Sequence, residues 1–325
     1  MDITDFTAEL LAFGEPTHFE PAFARIRNEL FARLAEHGFR SIALETDRVA
    51  ALDGGFSHGF GEVAANRQLL DWLREYNETA GEPLTFHGFD APTEMFSAPS
   101  PRRYLEHARD HLGLDVDIAT LTGDDERWSR SEAILDPAAS PGASPEAREL
   151  RVIADDLLMA LDARAETTSD AEWNRARIHA IAGLDLLRYH AASALPGDRD
   201  TRIARLARAR AVIMARNLLD IHGSQPGRTL VFAHNAHLGS GAGAIVAARL
   251  GDRYAFVAGS LGHSEALGLG EPAADTYEGS LQRETKTWRL TTEIPAGRTR
   301  EDTDHRYAPL TRELLENADA VLHVA

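Results

Sequence analysis

The sequence contains no cysteine, and only one of its 34 basic residues, Lys286, is a lysine. Without cysteine the chain cannot form disulfides, thiolate nucleophiles, zinc–thiolate sites or iron–sulfur clusters. It also lacks any apolar run long enough to span a bilayer, and its first residues, MDITDFTAEL, lack the basic and apolar regions of a signal peptide. We therefore expect a soluble, cytoplasmic protein.

Positive charge is scarce as well. The chain has 51 acidic residues and a formal net charge of -17, so its surface repels nucleic-acid phosphates and anionic membranes. With 43% hydrophobic and 26% charged residues over 325 positions, its composition is that of a globular protein large enough for a core with an insertion. We expect a neutral or cationic small molecule as its partner, not nucleic acid or a membrane, and the oligomeric state stays open.

The order of apolar patterns predicts an α/β fold. The stretch LLAFGE, a helical pattern that starts at Pro21 and ends before Gly38, and the stretch SIALE form a βαβ unit. From about residue 100 to 223 the pattern is nearly all helical, and strands resume at RTLVFAH and YAFVAGS, with weaker ones at KTWRLTTEI and AVLHV. We predict a mainly parallel sheet flanked by helices, with an antiparallel edge near the C-terminus. The predicted parts are core residues 1–99, a helical insertion at 100–223, and core residues 224–325.

Four of the predicted strands run into acids or histidines where they end: LLAFGEPTH, RSIALETD, LTFHGFD and RTLVFAHNAH. In open α/β sheets, ligands bind outside the carboxyl ends of the strands. This pattern therefore predicts one shared site with six candidates: Glu15, His18, Glu45, Asp90, His234 and His237.

The first two strand ends suggest acid–base chemistry. Glu15 and His18 lie three residues apart, and a carboxylate beside an imidazole orients the ring and raises its basicity. An isolated His18 would be interpreted as an ordinary hydrogen-bonded loop histidine, but its neighbours favour a catalytic role. Glu45 follows an apolar strand, where an acid is costly without a partner or a task. Asp47 is the better cap for the next helix, so we expect it to be structural or to support the site.

The remaining candidates have both structural and functional interpretations. Asn235, between His234 and His237, could donate a hydrogen bond to a developing oxyanion. Arg27 lies either on a solvated helix face or points inward, where it would bind a carboxylate or polarise a carbonyl. Asp90 is expected to be structural, binding backbone amides or steadying a site histidine.

Two further motifs are weak. GFSHG, with Ser57, matches the nucleophile elbow, but no apolar strand precedes it. GSGAGA, from Gly239 to Ala244, matches a loose dinucleotide fingerprint, yet the next strand ends without the acid that would bind a ribose. Close packing of helix on sheet explains its small residues.

Taken together, GEPTH, ALETD and FAHNAH resemble motifs of the erythromycin esterase family, and DWLREYN, HGFD, IMARNL, LGDRYAFVAGS and ADAVLHV follow in the family's order. The resemblance implies an α/β core with a helical insertion and a cleft in which His18 activates water against a macrolide lactone without a required metal. It further implies that His18 is the general base, and that His18, the substrate or the leaving group is oriented by Glu15, Glu45, Arg27, His234 and His237.

The sequence also departs from the family. In the family, the M-A-x-N helix is often preceded by an Arg-Asp pair. In this chain Arg210, a substrate-binding candidate, is instead followed by Ala211. The chain is shorter than the antibiotic-inactivating members of the family. The resemblance therefore predicts its fold and site better than its substrate or a role in antibiotic resistance or biosynthesis.

The leading hypothesis is a metal-independent and cofactor-independent hydrolase of a lactone or ester. Three alternatives stay open at this point. The same site could serve proton abstraction, cyclisation or isomerisation; it could be a metal-dependent hydrolase, or the protein could be a non-catalytic binder of a small ligand. In a metal-dependent hydrolase the metal ligands would be His18, Glu45, His234 and His237.

Overall fold

The computed structural model describes residues 2–94, 96–165, 170–301 and 306–325. These residues form a seven-stranded sheet in the order β3-β2-β4-β1-β5-β7-β6, parallel in its recorded pairs except for the antiparallel pair β6–β7. This confirms the predicted α/β class and the antiparallel edge. The strands are β1 (Leu10–Glu15), β2 (Phe39–Asp47), β3 (Thr85–Asp90), β4 (Arg228–His234), β5 (Tyr254–Leu261), β6 (Trp288–Thr291) and β7 (Ala320–Val324).

Strand β1 lies between β4 and β5, and its residues are buried on both faces. This is why its sequence is a continuous apolar run rather than an alternation. The helix that connects β1 to β2 has clear signals at both ends. Pro21 occupies the first turn of the helix after β1, the Glu20 carboxylate caps that helix, and Gly38 beyond its end has a φ of 85°.

The helices of the described residues are as follows: α1 (Pro21–Ala35), α2 (Arg48–Ala51), α3 (Ala64–Thr79), α4 (Arg102–Leu112), α5 (Ile118–Thr122), α6 (Glu126–Ser129), α7 (Ser131–Leu135), α8 (Pro145–Arg164), α9 (Ala171–Ser193), α10 (Arg199–Ser224), α11 (Asn235–Leu238), α12 (Gly241–Leu250), α13 (Tyr277–Gln282) and α14 (Arg312–Glu316). None of them combines the length and the apolar character that a membrane span requires.

The chain divides into two compact units. Unit 1 contains residues 1–45, 59–87 and 215–325, and unit 2 contains residues 46–58 and 88–214. Unit 2 is helical and has its own core, in which Trp128 is fully buried and donates its indole N–H to the Thr122 carbonyl. These limits differ from the division at 99/100 and 223/224 drawn from the sequence, because residues 46–58 and 88–99 make their contacts within the helical unit.

Close packing accounts for the small residues of GSGAGA. A Cβ atom on Gly243 would overlap the Leu238 carbonyl oxygen and approach the Tyr254 hydroxyl, which itself donates to that carbonyl at 2.8 Å. Helix α12 therefore lies against the start of β5 at a separation that a larger side chain would prevent.

His323 on β7 is a fully buried histidine within unit 1. Its Nε2–H donates to Gln282 Oε1 at 2.8 Å, and its Nδ1 lies 2.9 Å from the Ser260 hydroxyl, which donates to it. Burial lowers the pKa of His323 to about 4. The ring is therefore neutral in the native state at pH values where it is protonated in the unfolded chain.

This difference predicts a loss of stability in acid. Between pH 6.5 and about 4 the unfolded chain binds a proton that native His323 does not, so the free energy of unfolding falls as the pH falls. In urea titrations between pH 6 and 4.5, we expect His323→Gln to reduce the slope of this decrease by about 1 kcal/mol per pH unit. Substitution of the exposed His263 by Gln is the control and should keep the wild-type slope. Equal slopes in the three proteins would contradict the assignment.

Candidate functional site

The turn after β1 brings Glu15 and His18 together. Glu15 is buried, and its Oε1 lies 2.7 Å from Nδ1 of His18. Burial raises the pKa of Glu15, and the hydrogen bond and charge of His18 act in the opposite direction. A carboxylate only accepts hydrogen bonds, so Nδ1 of His18 is the donor in this contact. The pair has the geometry of a base held in one tautomer by an acid.

Glu45, near the end of β2, connects three parts of the site. Its Oε2 accepts a hydrogen bond from the backbone N–H of His234 at 2.9 Å, and its Oε1 lies 3.1 Å from Nε2 of His237. The same Oε1 is 3.8 Å from Nε2 of His18, which is too long for a direct hydrogen bond. Nε2 of His18 and the carboxylate of Glu45 therefore face each other without a direct hydrogen bond between these two atoms.

His234 has a structural role in this arrangement. Its Nε2–H donates to the Pro16 carbonyl at 3.2 Å, and its Nδ1 accepts from the backbone N–H of Ala236, which caps helix α11. Burial, together with the charges of His18 and His237, lowers the pKa of His234 to about 4. The ring is neutral near pH 7 and holds the His18 turn against the helix that carries His237.

Asn235 is buried and engages the backbone of β5. Its Nδ2 donates to the Gly259 carbonyl at 2.8 Å, and its Oδ1 accepts from the Gly259 N–H at 2.9 Å. A Cβ atom on Gly14 would overlap this Oδ1, which explains the glycine before Glu15. Asn235 thus lies in the packing of the sheet, and not where the sequence analysis expected a donor to an oxyanion.

Arg27 points inward, but the side chains that it contacts are asparagines and not the carboxylate expected for an inward arginine. It is 1% exposed, its Nη1 donates to Asn66 Oδ1 at 2.8 Å, and its Nε and Nη2 both donate to Asn28 Oδ1. The guanidinium also lies 5.0 Å from the ring centre of Phe232. Burial lowers the pKa of Arg27 to about 10, with the charge of Glu15 acting against it, so the side chain is a buried cation near pH 7.

A cavity of about 450 Å³ lies within unit 1 beside these side chains. Its walls combine apolar residues with charged ones, and the Phe60 ring lies 5.0 Å from the His18 ring. The charged residues of its lining are Glu15, Glu20, Glu45, Glu62, Arg25 and Arg27, and apolar ones include Leu44, Phe60, Val63 and Phe232. Sequence reasoning missed Phe60, Asn28 and Asn66, because an isolated Phe or Asn on a polar helix pattern carries no local signal.

Three other candidates lie in unit 2 and are bound to partners there. The Asp47 carboxylate caps α2 by accepting from the Val49 N–H at 2.8 Å, as expected from the sequence. Asp90 is fully buried and accepts from Nε and Nη2 of Arg210 at 2.9 and 2.5 Å. These contacts give Asp47 a capping role and pair Asp90 with Arg210.

His58 also contacts Asp90 and completes this second cluster. Its Nε2 lies 3.0 Å from Asp90 and its Nδ1 2.8 Å from Glu94, and its φ of 56° is unusual for a residue other than glycine. Its neighbour Ser57 accepts the Asp47 N–H through its hydroxyl, so the serine of the weak GFSHG motif takes part in a local turn.

The arrangement of the described side chains does not match the metal-dependent alternative. Across residues 2–94, 96–165, 170–301 and 306–325, no three His, Asp or Glu side chains are arranged to hold an ion. In the set considered from the sequence, His18, Glu45, His234 and His237, both ring nitrogens of His234 are engaged by backbone groups. That histidine has no free nitrogen for a metal.

Comparison with solved structures shows the same fold. A Bacillus cereus protein has a TM-score of 0.69 at 17% identity, covering 99% of this chain and 89% of its own. A succinoglycan biosynthesis protein has a TM-score of 0.67 at 16% identity, covering 98% and 87%. A mutant of the erythromycin esterase EreC in its open conformation has a TM-score of 0.62 at 19% identity, covering 98% and 90%.

Comparison by sequence identifies the family. No curated protein matches this chain significantly. The family model described as erythromycin esterase, however, matches residues 34–325, which include Glu45, His234 and His237. Glu15 and His18 precede the matched residues, and they are connected to them by the contacts of Glu45 and His234. On this match over most of its length, the chain belongs to the erythromycin esterase family.

Proposed function

We propose that this protein is a hydrolase that opens a lactone or an ester with a water molecule activated by His18. The observation that carries the proposal is the pairing of His18 Nδ1 with Glu15 at 2.7 Å while Nε2 faces Glu45 across 3.8 Å. A water molecule beside these two atoms would donate one proton to Nε2 and the other to Glu45 Oε1. Membership of the erythromycin esterase family supports the same reaction class.

In the proposed reaction, His18 Nε2 removes a proton from this water as the water oxygen attacks the carbonyl carbon. The Glu15 carboxylate stabilises the imidazolium that forms, since it already accepts from Nδ1. The tetrahedral intermediate then collapses, the bond to the alkoxide breaks, and His18 returns its proton to the leaving oxygen. The products are an acid and an alcohol, and no covalent enzyme intermediate forms.

The other site residues support these steps. Arg27, a buried cation beside Glu15, supplies positive charge for the oxyanion. His237 holds Glu45 in place through their 3.1 Å contact, and His234 holds the turn that carries His18. We expect these three residues to affect the rate through charge and position.

The lining of the cavity indicates the kind of substrate. Its four glutamates outnumber its two arginines, and the whole chain carries a formal net charge of -17. An anionic substrate would be repelled, so the proposed substrate is a neutral or cationic small molecule. A binding protein would gain nothing from burying Glu15 and Glu45 in a site that apolar side chains could line at lower cost.

The reaction class is tested by mass spectrometry. The purified protein is incubated with a panel of macrolides and simple lactones and esters, each with and without a chelator. We expect at least one product heavier than its substrate by one water, formed at the same rate in the presence of the chelator. A product isomeric with its substrate, or activity that the chelator abolishes, would contradict the proposal.

The role of His18 is tested by substitution. We expect His18→Gln to lower kcat by about 10²- to 10⁴-fold, because the general base is lost, with little change in thermal stability. His222→Gln is a matched control, since His222 is also a half-buried histidine of unit 1 paired with a glutamate, Glu9, at 3.2 Å. The control should keep its activity, and an equal loss in both variants would refute a specific role for His18.

A further inference from the structure

The turn that carries His18 is held from two sides through one backbone group. The Pro16 carbonyl accepts a hydrogen bond from His234 Nε2 at 3.2 Å and a second one from the backbone N–H of Ala308 at 2.9 Å. Proline has no N–H, so this carbonyl is the only backbone hydrogen-bonding group of Pro16. The position of the turn, and with it the approach of His18 to Glu15, depends on where Ala308 lies.

Ala308 belongs to a segment, residues 306–310, that is neither helix nor strand. Without a backbone ladder, its position depends on individual contacts. The same segment contacts the turn a second time, because the Arg306 guanidinium lies 5.7 Å from the ring centre of the partly exposed Phe19. The contacts that hold residues 306–310 in place therefore also determine the position of the His18 turn.

One carboxylate oxygen anchors the segment on both sides of Ala308. Glu278 Oε1 accepts from the backbone N–H of Leu310 at 2.7 Å, and the Tyr307 hydroxyl lies 3.1 Å from it. Tyr307 is itself buried, and its hydroxyl also lies 3.3 Å from the Leu261 carbonyl. Glu278 is on α13, a different element, so its side chain is the connection between that helix and the segment.

Burial of Glu278 costs free energy that packing alone does not require. It is fully buried, and among the described residues its Oε2 has no hydrogen-bond partner. An unsatisfied buried carboxylate oxygen costs free energy that an apolar side chain would not. The two contacts of Oε1 are what an apolar side chain at this position could not make.

We infer that Glu278 is a positioning residue for the His18 turn. Through Leu310 and Tyr307 it holds Ala308 where its N–H fixes the Pro16 carbonyl, and so keeps His18 Nδ1 on Glu15. The inference rests on the proposed function only in taking His18 as the base; the mechanical connection stands independently of the substrate.

The connection is measured by amide hydrogen exchange on the full chain. In Glu278→Ala we expect faster exchange in peptides covering residues 306–310 and 14–20, with the peptides of β4 and β5 unchanged. Glu278→Gln keeps an acceptor oxygen at the same place and should restore slow exchange. Asp319→Ala is a matched control, because it also removes a carboxylate that accepts a backbone N–H, that of Phe256 at 2.8 Å, but does not contact the segment.

Kinetics on an ester found in the panel test the consequence for catalysis. We expect Glu278→Ala to lower kcat about tenfold with KM changed less than about twofold, because misplacement of the base affects the reaction more than binding. Glu278→Gln should recover most of the rate. If Glu278→Ala does not fold, Tyr307→Phe removes one of the two contacts and is expected to show a smaller change in the same direction.

The outcomes separate this inference from the proposed function. Unchanged exchange at residues 14–20 in Glu278→Ala, or a fall in kcat matched by Asp319→Ala, would overturn the positioning role. If no ester is hydrolysed by the wild-type protein but the exchange pattern is as expected, the proposed reaction fails and the connection from Glu278 to the turn stands.

Discussion

The site depends on the parallel register of β1 and β4, in which Glu15 pairs with His234. Strand β2 pairs with β4 on its other side, where Leu44 lies opposite Phe232, so the next residue, Glu45, reaches the backbone N–H of His234. Three carboxyl ends are thus aligned at one sheet edge. A slip of one residue in either pairing would turn these side chains to the opposite face.

The aligned strand ends bring buried charges together, and each is compensated in a different way. Glu15 is paired with His18, Glu45 accepts from a backbone N–H and contacts His237, and Arg27 donates to two asparagines. Burying such groups stabilises a fold less than apolar packing of the same volume would. Their presence around one cavity is consistent with selection for chemistry at some expense of stability.

Several polar residues near these motifs connect parts of the site to one another through hydrogen bonds. Asn235 joins α11 to Gly259 of β5, and His234 caps α11 while bonding Pro16. His18 thereby lies on a short turn and His237 on the four-residue helix α11, and hydrogen bonds set the positions of both. In the H-N-x-H motif, the His237 side chain contacts Glu45, whereas the His234 and Asn235 side chains bond backbone groups of neighbouring elements. The spacing of the motif alone does not tell these roles apart.

The sequence by itself determined the class of the fold and predicted that several strand ends would meet, but it also placed Asp90 among them, which the structure pairs with Arg210 in the helical unit. Short continuous apolar runs such as residues 10–13, which alternate with longer helical patterns, indicate strands covered on both faces, and ligands bind outside the carboxyl ends of such strands. The roles within the site were decided by tertiary structure. Whether Arg27 faced solvent or Asn66, whether Asn235 faced a substrate or Gly259, and that Glu278 would reach Leu310 all depend on contacts between residues far apart in the chain. Local periodicity reports burial along one element, but a hydrogen-bond partner is fixed only when separate elements pack.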